Sequence, residues 1–163
     1  MNGILSLCLF VFISFTNIGS TEFKKHISKQ HNYSIEFPAY FSPKALQPTM
    51  DLNIQDAKGA TIVVYVTKAN ETESIYTITK EEMEASMKAQ YPFFKVHTIN
   101  KVDINGCVAL CIYTSPTKFL NQIFCMIEKN KKMYVINLGA SAPDFEKYKT
   151  DFVKTINSFK IIK

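Results

Sequence analysis

The stretch that decides the fold is Phe94–Leu138, FKVHTINKVDINGCVALCIYTSPTKFLNQIFCMIEKNKKMYVINL. Four extended segments follow one another here, and only a few turn-forming residues separate each segment from the next. The pair Asn105-Gly106, between the first and second segments, is a strong signal for a hairpin. Because short connections join antiparallel neighbours, the stretch predicts four consecutive strands of an antiparallel sheet.

Further strands are expected before this stretch. Thr61–Thr67 is the most strongly strand-like segment, and because both of its faces are apolar, the sheet should be covered on both sides there. Tyr33–Phe37 alternates apolar and polar residues and stops before residues 38–49, a segment with three prolines that is expected to be loop. Leu52 and Ile54 alternate in one more strand.

Two helices are expected to pack on this sheet. Thr79, with Glu82 three residues later, fits a capping box, and the helix that follows has a thin apolar stripe typical of a surface helix. A second helix begins near Pro143 and carries a broad apolar face at helical spacing, which should dock on the sheet. Its residues are Phe145, Tyr148, Phe152, Val153 and Ile156. The sequence therefore predicts an α+β fold, with an antiparallel sheet of about six or seven strands and helices packed on its faces.

The N-terminus has the layout of a secretory signal. Ile4–Phe15 is an uncharged apolar run, and the small residues Gly19 and Ser20 follow it at the place where a signal peptidase cuts. The run is short for a bilayer span, so an uncleaved anchor is the alternative. We expect a secreted or periplasmic protein. Its predicted parts are a signal peptide, a polar lead-in and one α+β domain, at residues 1–20, 21–32 and 33–163.

The composition argues against several classes of function. The 163 residues are 47% hydrophobic and 20% charged, which is typical of a globular domain. All 19 basic residues are lysine, and the lack of arginine argues against specific recognition of nucleic acid or phosphate. Since the lysines are scattered, the net charge of +5 indicates a solvated surface and at most peripheral contact with a membrane.

Three cysteines lie beyond the predicted signal, namely Cys107, Cys111 and Cys125. The first two have the same strand parity and face one side of the sheet. Depending on the hairpin register, Cys125 lies opposite either Cys111 or Cys107, and a Cys111–Cys125 disulfide is the candidate bridge. Our expectation is instead that all three are buried thiols that fill the core, because free cysteine is among the most buried residue types. A reactive thiol is the third possibility.

The sequence shows no catalytic, cofactor or metal motif. The acidic residues of the first helix crowd its first turn, where they stabilise the helix dipole. His26, His31 and His97 are expected at the surface, and a metal site formed by His26, His31 and Glu22 is the alternative. We therefore expect no cofactor, no metal and no enzymatic activity.

The order of elements resembles the PsbP-like domain. The likeness is carried by Tyr33–Pro38 near the front and by Phe145–Lys149 and Ile156–Ile161 at the back, and it spans about residues 31–162. This fold is shared by the extrinsic PsbP subunit of photosystem II and a Ran-binding nuclear import factor. The resemblance implies a PsbP-like sandwich, but it carries over no functional residues because a fold does not determine a function.

Aromatic residues in two loops form the candidate ligand or partner patch. Tyr40 and Phe41 lie in the proline-rich loop, and Tyr91, Phe93 and Phe94 follow the first helix. Exposed aromatic residues in loops are typical of a binding surface. The alternative is that these rings close the end of the core.

These observations favour an exported, non-catalytic domain that binds a protein partner or assists assembly at the cell envelope. One alternative is a carrier of a small apolar ligand, held between sheet and helix near Met83 and Met87. A second alternative is an enzyme that uses a thiol or a carboxylate. In a eukaryotic source, Asn32 and Asn70 are possible glycosylation sites.

Overall fold

The structure is a computed structural model that describes residues 21–70 and 74–162. The predicted signal peptide, residues 1–20, lies outside the described residues. The described strands are β1 Phe23–Ser28, β2 Tyr33–Pro38, β3 Ser42–Pro43, β4 Met50–Gln55, β5 Thr61–Lys68, β6 Lys95–Ile104, β7 Cys107–Thr117, β8 Leu120–Lys129, β9 Lys132–Ser141 and β10 Lys160–Ile161. The helices are α1 Lys80–Lys88 and α2 Phe145–Ser158, and a 3₁₀ turn, Ile75–Thr77, precedes α1.

The strands form two antiparallel sheets, which confirms the predicted α+β fold. The large sheet has seven strands in the order β3-β4-β5-β9-β8-β7-β6, and the small sheet has the order β1-β2-β10. The four predicted consecutive strands are neighbours β6 to β9 in the large sheet. Asn105 and Gly106 turn the chain with φ values of 52° and 79°, the positive values that a tight hairpin requires.

The polar lead-in contains a strand that the sequence analysis did not predict. β1 pairs with β2 along its whole length, from Phe23 opposite Pro38 to Ser28 opposite Tyr33. Because β1 is an edge strand of the small sheet, three of its six residues are exposed, and the segment shows no apolar alternation. The lead-in is therefore part of the folded domain.

The main core lies between α2, β2 and one face of the large sheet, called here the α2 face. The predicted apolar residues of α2 are buried there, with Phe145 and Phe152 only 1% and 0% exposed. Val153 is the exception and is half-exposed. The helix begins at Phe145 after Asp144, whose carboxylate accepts a hydrogen bond from the Ser141 hydroxyl at 2.9 Å. Pro143, where the sequence predicted the helix to begin, therefore lies just before it.

The opposite face of the large sheet, called here the α1 face, has a smaller core. The alternation of β7 divides the two, because Ala109 contributes to the α2 face whereas Leu110 and Ile112 contribute to the α1 face. The predicted capping box of α1 is present: the Thr79 N–H donates to Glu82 Oε2 at 2.9 Å, and the Glu82 N–H donates to Thr79 Oγ1 at 3.2 Å. α1 itself buries no residue fully.

Across residues 21–70 and 74–162, neither helix combines the length and the apolarity that a bilayer crossing requires.

Candidate functional site

An open cleft of about 420 Å³ lies between α2 and strands β6, β7 and β8. Pockets that hold ligands are typically about 300–1,000 Å³, so the cleft can accept a small molecule or several side chains of a partner. Apolar residues that line it are Val102, Cys111, Tyr113, Ile123, Phe145, Val153 and Ile156. Its polar lining residues are Thr98, Asn100, Lys149 and Asn157.

The cleft exists because the large sheet extends past α2. The helix packs mainly over β2 and β9 and reaches β6 only marginally. The outer part of the α2 face is therefore left without a covering element among the described residues. Val102 of β6 is 39% exposed and Val153 of α2 is 45% exposed, so both walls present an apolar side chain to solvent.

A disulfide between Cys111 and Cys125 joins β7 and β8 at the cleft. The register places these residues directly opposite each other, with their Cα atoms 4.1 Å apart. The structure therefore departs from our expectation of three free thiols, because the hairpin adopts the first of the two registers that the sequence left open. Cys107 is buried and remains a thiol, as expected.

Stacked rings form one wall of the cleft. Tyr113 lies between His97 and Phe145, with ring centroids 4.6 Å and 5.1 Å away. Phe145 in turn contacts Phe152 at 5.9 Å inside the core. This series of contacts connects the cleft wall to the main core where α2 meets β7.

His97 is held as a neutral member of this stack. Its Nε2 lies 2.7 Å from the Ser115 hydroxyl oxygen. Burial lowers the pKa of His97, the charges of Lys95 and Lys80 lower it further, and the charge of Glu84 opposes them. Because the ordinary pKa of histidine is about 6.5, a lowered pKa favours the uncharged imidazole at pH 7.

The structure does not bring the five aromatic residues of the predicted patch together. Phe41 and Phe94 are buried in the cores of opposite faces of the large sheet, so the two loops do not form one patch. Tyr40 is exposed beside Phe41, Phe93 is exposed beside Phe94, and Tyr91 packs on the smaller core. None of these residues lines the cleft.

A polar cluster ties the β1–β2 hairpin to β4. The Tyr33 hydroxyl donates to Asp51 Oδ2 at 2.6 Å, and the Nε2 atoms of His26 and His31 lie 3.4 Å and 3.5 Å from the Asp51 carboxylate oxygens. Burial by itself raises the pKa of Asp51. The hydrogen bonds from Tyr33, Ser28 and His26 and the charge of His31 outweigh burial and hold that pKa below its usual range.

The same contacts hold the β1–β2 hairpin against β4. Burial and the Asp51 carboxylate raise the pKa of Tyr33 far above its usual range, so its hydroxyl remains a donor. His26 and His31, expected as separate surface residues, meet on one carboxylate that the sequence analysis did not select. Among the described residues, no group of three or more His, Cys, Asp or Glu side chains could hold a metal ion.

The two sequons remain predictions. Asn32 is exposed in the β1–β2 turn, where its φ is 58°. Asn70 is exposed at the end of a described segment, and Thr72 of its sequon lies outside the described residues.

Solved structures share this arrangement of sheet and helices. The solution structure of cyanobacterial PsbP (CyanoP) from Synechocystis sp. PCC 6803 matches with a TM-score of 0.67 at 12% identity, covering 89% of this chain and 95% of that chain. The chain has the PsbP-like fold. The resemblance drawn from Tyr33–Pro38 and the C-terminal helix is thus confirmed at the level of fold.

Two further solved structures share this arrangement. The Ran-binding protein Mog1p of Saccharomyces cerevisiae has a TM-score of 0.61 at 8% identity and covers 88% of this chain and 97% of that chain. LpqN of Mycobacterium tuberculosis has a TM-score of 0.52 at 10% identity and covers 90% of this chain and 88% of that chain. No family model and no curated protein sequence matches the chain.

Val102 and Val153 line the cleft but were not predicted from the sequence as site residues. Val153 was assigned to the core face of α2, but it lies about 100° around the helix from Phe152, at the border of that face. The sequence did contain a signal for the cleft, because Val153 is one apolar residue beyond those that dock α2 on the sheet. Val102 stands between the charged residues Lys101 and Asp103 on the edge strand, a pattern typical of an exposed position.

Proposed function

We propose that this chain is an exported, non-catalytic binding domain that acts at the cell envelope or outside the cell and binds a protein partner through the cleft. The open apolar cleft, with a half-exposed valine on each wall, carries this proposal. Solvent-exposed apolar surface of this kind, with polar groups around it, is typical of interaction sites.

The chemistry of the cleft favours binding over catalysis. General acid–base catalysis requires a positioned proton donor or acceptor with a suitable pKa. Lys149 is the only charged side chain among the cleft-lining residues, and it shares an exposed ion pair with Glu146 at 3.1 Å. The lining thus supplies apolar contact and few reactive groups.

The names of proteins with the same fold support a role of this kind. Mog1p is described as a Ran-binding protein, and LpqN is described as involved in cell envelope biogenesis. A disulfide at the cleft supports export, because structural disulfides persist in oxidising compartments. N-terminal sequencing of the native protein tests export: a mature start near Gly19 or Ser20 is expected, and a protein that keeps Met1 contradicts it.

Partner capture from the native source tests the cleft. We expect wild-type protein to retain a specific partner and Val153→Asp to lose it, since a charge at this wall makes apolar contact costly. Leu46→Asp is the matched control, because Leu46 is 59% exposed on the loop between β3 and β4 and does not line the cleft. Equal capture by all three proteins contradicts the proposal.

A carrier of a small apolar ligand is the second candidate, and the cleft volume favours it. The cleft lies on the α2 face, so the ligand would not sit near Met83 and Met87, as the sequence analysis expected; those residues pack on the α1 face. Native mass spectrometry separates the candidates. A small-molecule adduct that Val153→Asp abolishes indicates the carrier, and a protein complex without an adduct indicates the binding domain.

A further inference from the structure

We propose that the partner binds as an added β-strand, with an extended segment pairing along β6 and its alternate side chains entering the cleft. This inference rests on the proposed function, since it specifies how a protein partner uses the cleft.

The first observation is the edge of the large sheet. β6 is its terminal strand and spans ten residues, whereas β3 at the other end spans two. In an antiparallel edge strand, roughly half of the backbone N–H and C=O groups point away from the neighbouring strand. Within the part of the chain that the structure describes, β7 is the only strand paired with β6. Glu84 accepts a hydrogen bond from the Val96 N–H at 2.8 Å, so α1 protects only the beginning of the edge.

The second observation is the alignment of this edge with the cleft. Thr98, Asn100 and Val102 alternate along β6 and all line the cleft. A strand added next to β6 lies about 4.8 Å further out and points its alternate side chains to the same face. Those side chains reach the space bounded by Val102 on one wall and Val153 on the other. Backbone pairing and apolar contact therefore become available to one extended segment at the same time.

The charge and polarity of β6 and the cleft lining indicate which partner segment fits the site. β6 carries Lys95 and Lys101 against the single acidic residue Asp103, and Lys149 adds the only charge in the cleft lining. An extended segment with apolar residues at alternate positions and acidic residues among the others complements both the apolar cleft and the lysines.

A second copy of this chain fits the site less well. Two copies that pair through β6 around a twofold axis keep their α2 faces on the same side of the joined sheet. Each copy then offers Thr98, Asn100 and Val102 to its partner's cleft, and two of these three residues are polar. The occupant we assign is therefore a segment of a different protein.

A random twelve-residue peptide library displayed on phage supplies the probe. The disulfide-bonded wild-type protein is used for selection, and peptides that also bind Val153→Asp are removed. We expect enriched peptides with alternating apolar and acidic residues, which bind Leu46→Asp as well as they bind wild type. Each enriched peptide is then synthesised in two forms, N-methylated at odd or at even positions.

Backbone pairing makes the two methylated forms unequal. Only one set of N–H groups faces β6, so one form should lose affinity by roughly tenfold or more while the other keeps it. Amide hydrogen exchange of residues 98–103 should slow when the peptide binds. If a cleft-dependent peptide binds equally well in both methylated forms, strand addition is overturned and the proposed cleft function stays intact.

Two further outcomes also overturn the inference. One is a library without cleft-dependent peptides; the proposed function then stands or falls on the separate capture experiment. The other is a dimer in sedimentation analysis of wild-type protein that Val153→Asp dissociates, because a second copy then occupies the edge.

Discussion

The helices on the two faces of the large sheet differ strongly in how many of their residues are buried. α2 buries Phe145, Tyr148, Phe152, Thr155 and Ile156 against a core that reaches from β4 to β9, whereas α1 buries no residue and covers the smaller core near β6 to β8. The stability of the fold therefore depends mainly on the α2 face. The candidate site lies on this same face, where the sheet extends past the helix.

Two adjacent residues of α2 have different roles, one in stability and the other in the proposed binding. Phe152 is fully buried, and Val153 is 45% exposed at the cleft. A change at Phe152 should affect folding, and a change at Val153 should affect binding.

The largest effect is expected at Phe152. Phe152→Ala should lower the free energy of unfolding by about 3–5 kcal/mol, because it leaves a cavity in the main core. On the other face, Met87→Ala should cost only about 1 kcal/mol, since Met87 is partly buried. Val153→Ala, as the neighbour control, should stay within about 0.5 kcal/mol of wild type. Urea unfolding measures all three, and equal losses for Phe152→Ala and Met87→Ala would remove the contrast between the faces.

The second effect concerns the disulfide on the α2 face. The double change Cys111→Ser and Cys125→Ser should lower the free energy of unfolding by about 3 kcal/mol, the amount expected for closing a short loop. Their separation in sequence is 14 residues. Thiol counting on denatured, unreduced protein should find one free thiol, that of Cys107, among Cys107, Cys111 and Cys125. Three free thiols would show that the bridge is absent from the native protein.

The third effect depends on pH and concerns the tie between hairpin and sheet. Because the pKa of Asp51 is lowered in the folded state, its carboxylate stabilises the fold above about pH 4, the usual range for aspartate, and this stabilisation is lost as the pH falls through the lower folded-state pKa. Asp51→Asn should therefore be less stable than wild type at pH 7, by about 1–2 kcal/mol, and the difference should shrink in acid.

Urea unfolding of wild type and Asp51→Asn at several pH values measures this difference in the free energy of unfolding. Asp103→Asn serves as the control, because Asp103 is exposed on β6 and its carboxylate accepts a hydrogen bond from the Gly106 N–H in the local turn. A constant difference between wild type and Asp51→Asn at every pH would contradict the role of the carboxylate charge.

The smallest effect is expected on α1. Thr79→Ala removes the capping box and should cost about 1 kcal/mol. Because α1 buries no residue, the loss should appear as faster amide exchange in Lys80–Lys88, while the strands of the large sheet stay protected. Uniformly faster exchange through the sheet would show that α1 is as important to the fold as α2.

Most of the fold could be predicted because its signals are local. The Asn105-Gly106 turn, the Thr79 capping box and the apolar spacing of α2 each depend on a few neighbouring residues. β1 was missed because an edge strand with polar side chains lacks apolar alternation. The register of β7 and β8 could be predicted only to within two residues, and that uncertainty decided the cysteine pairing.

The candidate site was harder to predict because it depends on distant residues. The cleft forms only where α2 ends its contact with the sheet, and no local pattern gives the position of a helix over a sheet. The contact of His26 and His31 with Asp51 likewise joins the β1–β2 hairpin of the small sheet to β4 of the large sheet. The aromatic loops were prominent in the sequence, but their rings lie on opposite faces.

The most direct test of the binding site is amide hydrogen exchange of the protein alone and in complex with the partner captured from its native source. We expect new protection in two places, residues 98–103 of β6 and residues 149–157 of α2. New protection confined to α1 or to the aromatic loops, with the cleft unchanged, would contradict it.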